Sequence, residues 1–119
     1  MLPYYSYHIW FRICRPIRAK HKLSTNCLLV LNGCYCYHIA VNKPITRKQL
    51  TKFLSYYNPK SINIYISVLI GKGYLIESIK NKSIRVYSIS LAGLQVINEL
   101  QESYQIELRK FIDLYNIVL

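Results

Sequence analysis

The stretch NPKSINIYISVLIGKGYLIESIKNKSIRVYSISLAG, residues 58–93, decides the fold. Asn58 is an N-cap residue, and Pro59 suits the first helical position, where no backbone donor is needed. Ile62, Ile66 and Leu69 follow at steps of four and three, which predicts a helix over 59–72 with one apolar face. Gly73 can adopt the left-handed conformation that stops it. Two alternating segments come next, 74–79 and 84–89, separated by the basic, polar tip Lys80-Asn81-Lys82-Ser83, and they read as a β-hairpin. Ser90 then caps another helix.

The residues upstream supply the partners of that stretch. Thr46-Arg47-Lys48-Gln49 is a capping box, in which Thr46 caps and Gln49 reaches back. The short helix behind it carries Leu50, Phe53 and Leu54 on one face, and Tyr56-Tyr57-Asn58 makes a tight turn into the next helix. Before it, Ser24 or Thr25 can cap a helix to about Val41, with Leu28, Leu31, Tyr35 and Ile39 in helical register, and Pro44 lies beyond its end. Residues 1–23 form a separate aromatic and basic arm, in which Pro3 and Pro16 confine any helix to about 4–15 and a strand is the alternative.

Downstream, Leu94, Ile97, Leu100, Tyr104, Leu108, Phe111 and Tyr115 keep helical spacing to about Asn116. A helix of that length is about 40 Å long at 1.5 Å per residue. A small core cannot cover all of it, so its far half is expected to meet a second copy of the chain. The fold expected is mostly α with a small β-hairpin wing: a winged helix-turn-helix over 24–90, flanked by an N-terminal dimerisation arm at 1–23 and a C-terminal dimerisation helix at 91–119.

Charge points to a polyanionic partner. The 119 residues carry a net charge of +11, and residues 1–76 hold 11 lysines and arginines but no acid, whereas 77–119 are balanced. Such a surface attracts nucleic acid or an anionic membrane. No apolar stretch approaches the length of a membrane span, and no signal peptide is apparent, so a cytoplasmic location with reduced thiols is expected. The four cysteines lack metal-ligand or disulfide spacing. Cys34 and His38 share a helix face at i, i+4 but read as core residues, and Cys14, between Arg12 and Arg15, is the best candidate for a redox-sensing thiol. The scattered histidines and late acidic residues offer no catalytic constellation, so neither enzyme activity nor a cofactor or metal is expected.

Three motifs in order resemble the MarR group of regulators. Leu69-x-x-Lys72-Gly73-Tyr74-Leu75 resembles the end of that group's recognition helix. Val86-Tyr87-Ser88-Ile89-Ser90-Leu91-Ala92-Gly93 is similar to its second wing strand and following helix junction, and Ile45-Thr46-x-x-Gln49-Leu50 looks like the opening of its preceding helix. The resemblance spans about residues 24–115. It implies a homodimer joined through N- and C-terminal helices, binding to pseudo-palindromic double-stranded DNA as a repressor, and a small-molecule effector held between dimerisation helices and DNA-binding lobe. The chain departs from the group's acidic-x-Arg wing tip, having Asn81 and Ser83 there, with Lys82 and Arg85 left to supply the charge.

On this reading the groove-facing residues are Lys60, Ser61, Asn63, Ile64 and Ser67. Asn63 suits adenine and Ile64 a thymine methyl, while no arginine is present for guanine. Phosphate and wing contacts fall to Arg47, Lys48, Lys52, Lys72, Lys80, Lys82 and Arg85. A dimer seam would use Tyr7, Trp10, Phe11, Tyr104, Leu108, Phe111 and Tyr115. The same architecture also serves replication, recombination, RNA or single-strand binding, and protein interaction.

Overall fold

The computed structural model describes the backbone of residues 7–54 and 58–115 and the side chains of 10–54 and 58–114. The expected turn at Tyr56-Tyr57 and the expected helix end at Asn116 lie outside the described residues. Among the described residues, five helices and three short strands follow in order: α1 (Tyr7–His21), α2 (Thr25–Val41), β1 (Ile45–Thr46), α3 (Arg47–Phe53), α4 (Pro59–Gly71), β2 (Leu75–Asn81), β3 (Ile84–Ile89) and α5 (Leu91–Tyr115). This is the expected winged helix-turn-helix.

Local chemistry sets most of the boundaries. The Ser24 side chain caps α2 by accepting from the Cys27 amide, and Asn42 ends that helix in the left-handed conformation. Thr46 and Gln49 form the reciprocal capping box at 3.1 and 3.0 Å. Asn58 caps α4 ahead of Pro59. At the other end of α4, the Tyr74 amide bonds the Leu69 carbonyl and the Gly73 amide bonds the Ile70 carbonyl. This paired closure requires a left-handed residue after the helix, and Gly73 supplies it with φ +82°.

The α2 helix is the axis of the core. Its Leu28, Val30 and Leu31 are buried together with Leu50 of α3, Ile62, Ile66 and Leu69 of α4, Tyr87 of β3 and Ile97 of α5. Ile39 departs from the expected apolar face of α2 and lies 64% exposed, because the helix outruns the elements packed on its first half. Phe53 is likewise exposed rather than packed with Leu50 and Leu54; its ring lies over Gly33 of α2.

Two further features differ from the sequence reading. Helix α1 runs through Pro16 to His21. Proline cannot donate to the carbonyl four residues back, and one residue along, the buried Ser103 hydroxyl of α5 donates to the Ile13 carbonyl at 2.8 Å. The wing also has a third strand. β1 pairs with β3, Ile45 opposite Tyr87 and Thr46 opposite Val86, giving the antiparallel order β1-β3-β2.

Helix α1 lies antiparallel along α5, since Ile13 meets Ser103 while Lys20 and His21 meet Glu99. The molecule measures 56 × 25 × 25 Å, with a radius of gyration of 15.2 Å. A compact chain of this length would have a radius of ~13.5 Å, so the α1–α5 arm makes it elongated. Among the described residues, no helix is long and apolar enough to cross a membrane.

Candidate nucleic-acid interface

Helix α4 buries Ile62, Ile66 and Leu69 and turns its opposite side to solvent. Of the five expected groove-facing residues, Lys60, Ile64 and Ser67 are exposed, Ile64 by 61%. Ser61 and Asn63 are half-buried at the flanks of that face. The Asn63 Oδ1 is shut off from solvent without a hydrogen-bond partner, so the adenine-reading geometry expected of Asn63 is not formed here. The exposed stripe continues instead to Val68 and Gly71. The spacing from Ile64 to Val68 would have found that continuation, as four residues make one helical step along a face.

The basic residues expected at phosphates fall into three settings. Arg47 and Lys48 open α3, with Lys52 a turn later, and all three are exposed. Arg47 is steadied by a 3.2 Å hydrogen bond from Nη2 to the Tyr87 hydroxyl of β3. Lys80 belongs to β2 rather than to the tip, because β2 extends to Asn81 through an irregularity between Ile79 and Asn81. That leaves Lys82-Ser83 as the connection. Arg85 is drawn to Glu77, 3.5 Å away on the neighbouring strand, so it is a shared rather than a free charge. Lys72 points elsewhere: its Nζ donates to the Lys22 carbonyl at 2.6 Å, tying the end of α4 to the α1–α2 connection.

One cleft gathers residues from two of these settings. Thr46, Arg47 and Lys48 line it from the α3 side, and Ser83, Ile84 and Arg85 from the wing. Three cations converge there from segments almost forty residues apart, which is the arrangement that holds an anionic backbone. The wing is more apolar at its surface than alternation predicts. β2 is an edge strand in which only Leu75 is buried, leaving Ile76 and Ile79 half or more exposed.

The expected dimer residues divide differently from the sequence pattern. Trp10 and Tyr104 are half-buried against the chain's own core, since α1 covers the side of α5 that periodicity assigned to a partner. Leu108 and Phe111 are also half-buried. Phe11 is 36% exposed, with the Arg18 guanidinium 4.8 Å from its ring centre. The side chains of Tyr7 and Tyr115 lie outside the described set. The large apolar residues that do reach solvent on α5 beyond its midpoint are Ile106 and Leu114.

The cysteine expected to sense redox state is not built for it. Cys14 is fully buried, and burial pushes its thiol up to about 12 despite the nearby Arg18. A thiol held in that form is a poor nucleophile. Cys34 is buried and likewise pushed up to about 12 by burial, while His38 is exposed, so the two do not form a shared site. Among the described residues, no group of three or more His, Cys, Asp or Glu could hold a metal.

A joint of polar residues connects the α1–α5 arm to the winged helix-turn-helix. His21 meets the Tyr74 hydroxyl at 2.9 Å through Nδ1 and the Glu99 carboxylate at 2.5 Å through Nε2. Lys20 donates to the same carboxylate. Burial alone would raise the Glu99 carboxyl, but the hydrogen bonds and charges of Lys20 and His21 outweigh it and hold it below its ordinary value.

No family model and no curated sequence matches the chain. Solved structures do. The chain is similar to MepR of Staphylococcus aureus, a transcription regulator of the multidrug efflux pump MepA, with a TM-score of 0.77 and 8% identity over 89% of this chain and 75% of that one. It is similar to apo MarR of E. coli, with a TM-score of 0.73 and 15% identity over 93% and 75% of the two chains. A transcriptional regulator from Thermotoga maritima aligns with a TM-score of 0.67 and 15% identity over 90% and 72%. The chain therefore has the fold of the MarR-type transcriptional regulators, as the motif resemblance implied.

Proposed function

We propose that this MarR-fold chain is a sequence-selective regulator of transcription that binds double-stranded DNA as a homodimer and acts as a repressor. The observation that carries the reading is the convergence of Arg47, Lys48 and Arg85 on one cleft between α3 and the wing. The next helix in the chain, α4, holds Lys60, Ile64, Ser67 and Val68 out to solvent.

In this reading α4 enters the major groove, which is wide enough for a helix. Ile64 and Val68 favour thymine methyl groups, Ser67 accepts or donates to a base edge, and Lys60 meets a phosphate or purine. Without an arginine on that face, readout leans to A·T pairs and the affinity comes mainly from phosphates. Lys82 at the wing connection reaches the minor groove or its phosphates. Ile106 and Leu114 belong to the seam between copies. A small-molecule effector is part of the reading. The cleft between the end of α2 and the wing, lined by Tyr37, Val41, Lys43, Pro44, Ile79 and Lys80, supports it, since a ligand there would press on the strand that carries Lys80.

Selection of bound sequences from random duplex DNA tests this directly. The expected product is an A·T-leaning inverted repeat with half-sites about one helical turn, ~10 base pairs, apart. Enrichment of no duplex, or tighter binding to single strands or RNA, would overturn the reading.

A further inference from the structure

Tyr87 is a core residue with a polar end. It sits on β3, the central strand of the sheet, opposite Ile45 of β1 on one side and Glu77 of β2 on the other. Only 1% of it is exposed, and it belongs to the same buried cluster as Ile45 and Leu50. Phenylalanine would fill that space as well, and a hydroxyl taken out of water costs stability unless it finds a partner. The partner is Arg47, whose Nη2 donates to the Tyr87 oxygen at 3.2 Å. Both residues line the cleft between α3 and the wing.

The two arginines of that cleft are held by different chemistry. Arg85 is 3.5 Å from the Glu77 carboxylate, which offsets its charge. Arg47 is held by a neutral hydroxyl, which fixes the guanidinium without cancelling its charge. Among the described residues, the salt bridges engage Lys20, His21, Arg85 and Lys110, and none reaches Arg47. Its place in the helix does not favour it either. Arg47 opens α3, whose first turn has no acidic residue, and the positive end of a helix dipole disfavours a cation. A guanidinium presents five N–H donors in a planar fork, and the Tyr87 bond occupies one of them.

We infer that Tyr87 is a positioning residue of the duplex site: its hydroxyl holds Arg47 in the cleft in advance of a backbone phosphate. The inference rests on the duplex-binding reading above. A free arginine loses rotamer freedom when it grips a phosphate, whereas one already held loses less, so the bond is realised as affinity. At 1% exposure Tyr87 does not touch the DNA itself; it acts through Arg47. The same chemistry ranks the two arginines, since Arg47 brings a whole charge to the phosphate and Arg85 a shared one.

The experiment is a double-mutant cycle, read as affinity for a duplex carrying the selected site at low salt. Wild type, Tyr87→Phe, Arg47→Gln and the two changes together are compared as full chains, with folding followed by circular dichroism and melting. Tyr87→Phe is expected to weaken binding about 3- to 10-fold, the range for ordering a long side chain. Its log–log salt slope should match wild type, because no charge is lost, whereas that of Arg47→Gln should be shallower by about 1. Once Arg47 is gone, adding Tyr87→Phe should cost almost nothing. In a Lys82→Gln background, which alters an exposed charge of the wing connection, it should keep its full effect. Wild type gives a second readout that needs no variant to fold. NMR relaxation of side-chain nitrogens should show the Arg47 guanidinium more ordered than that of Arg109, an exposed arginine of α5. Equal losses from Tyr87→Phe with and without Arg47 overturn the inference, since the hydroxyl would then act through the packing of the wing. A Tyr87→Phe chain that binds as tightly as wild type, or an Arg47 as mobile as Arg109, overturns it too. Each of these leaves the duplex-binding reading standing. A wild-type chain that binds no duplex at low salt overturns both.

Discussion

Gly93 shows what one missing side chain does in this fold. A Cβ at that position would lie 2.3 Å from the Tyr74 carbonyl oxygen and 2.8 Å from a methyl of Ile89. The first of these is backbone and cannot swing away. The same carbonyl accepts from the Ser90 amide, and the Ser90 hydroxyl both donates to the Gly73 carbonyl and accepts from the Gly93 amide. Gly93→Ala should therefore cost on the order of 3 kcal/mol in chemical denaturation, as overpacking against fixed atoms does. Gly71→Ala is the matched control: nothing lies within 4 Å of its Cβ position and its φ is not positive, so gaining a better helix former should stabilise by about 0.5–1 kcal/mol. A neutral Gly93→Ala would mean that the α4–α5 junction is looser than its hydrogen bonds imply.

Between elements, the charge at Glu99 fastens the end of α1 to α5 and, through His21 and Tyr74, to the start of the wing. Because the folded state holds this carboxyl below its ordinary value, the contribution is fully present above the unfolded-state pKa. It is lost as pH falls through the lower, folded-state value. Melting curves should show wild type more stable than Glu99→Gln at neutral pH, with the gap closing on acidification below pH ~4. A gap that stays constant with pH would mean that the charge of Glu99 is not the source. The same scale separates what was legible in the sequence from what was not. The caps of α2, α3 and α4 and the stop at Gly73 were legible, because each is settled within six residues by a side chain and the backbone beside it. β1 was not, because two residues carry no alternation and its partners, Tyr87 and Val86, lie some forty positions away. Pro16 argued for a break that packing against α5 overrides. The charges of the candidate interface were visible in the sequence but their partners were not: Lys72 on Lys22, Arg47 on Tyr87 and Arg85 with Glu77 are all pairings across the fold.

For the whole molecule, the consequential property is shape. Helix α5 has 25 residues, about 37 Å at 1.5 Å per residue, and its far end carries Ile106 and Leu114 at 57% and 77% exposure. If that end is the seam between copies, Ile106→Glu/Leu114→Glu should convert a dimer to monomer in light scattering or sedimentation without lowering the melting temperature of the monomer. It should also abolish binding to an inverted repeat while sparing weak binding to a half-site. A variant that stays dimeric would place the seam elsewhere. The joint at Tyr74 then takes on a mechanical meaning. One residue closes the end of α4, begins the turn into the wing, receives the amide of Ser90 just ahead of α5 and holds His21 of α1. Placed there, the contacts of Tyr74 stand at the short end of a long arm: over the length just given, each ~5° of angle between α5 and that joint corresponds to about 3 Å at the far tip.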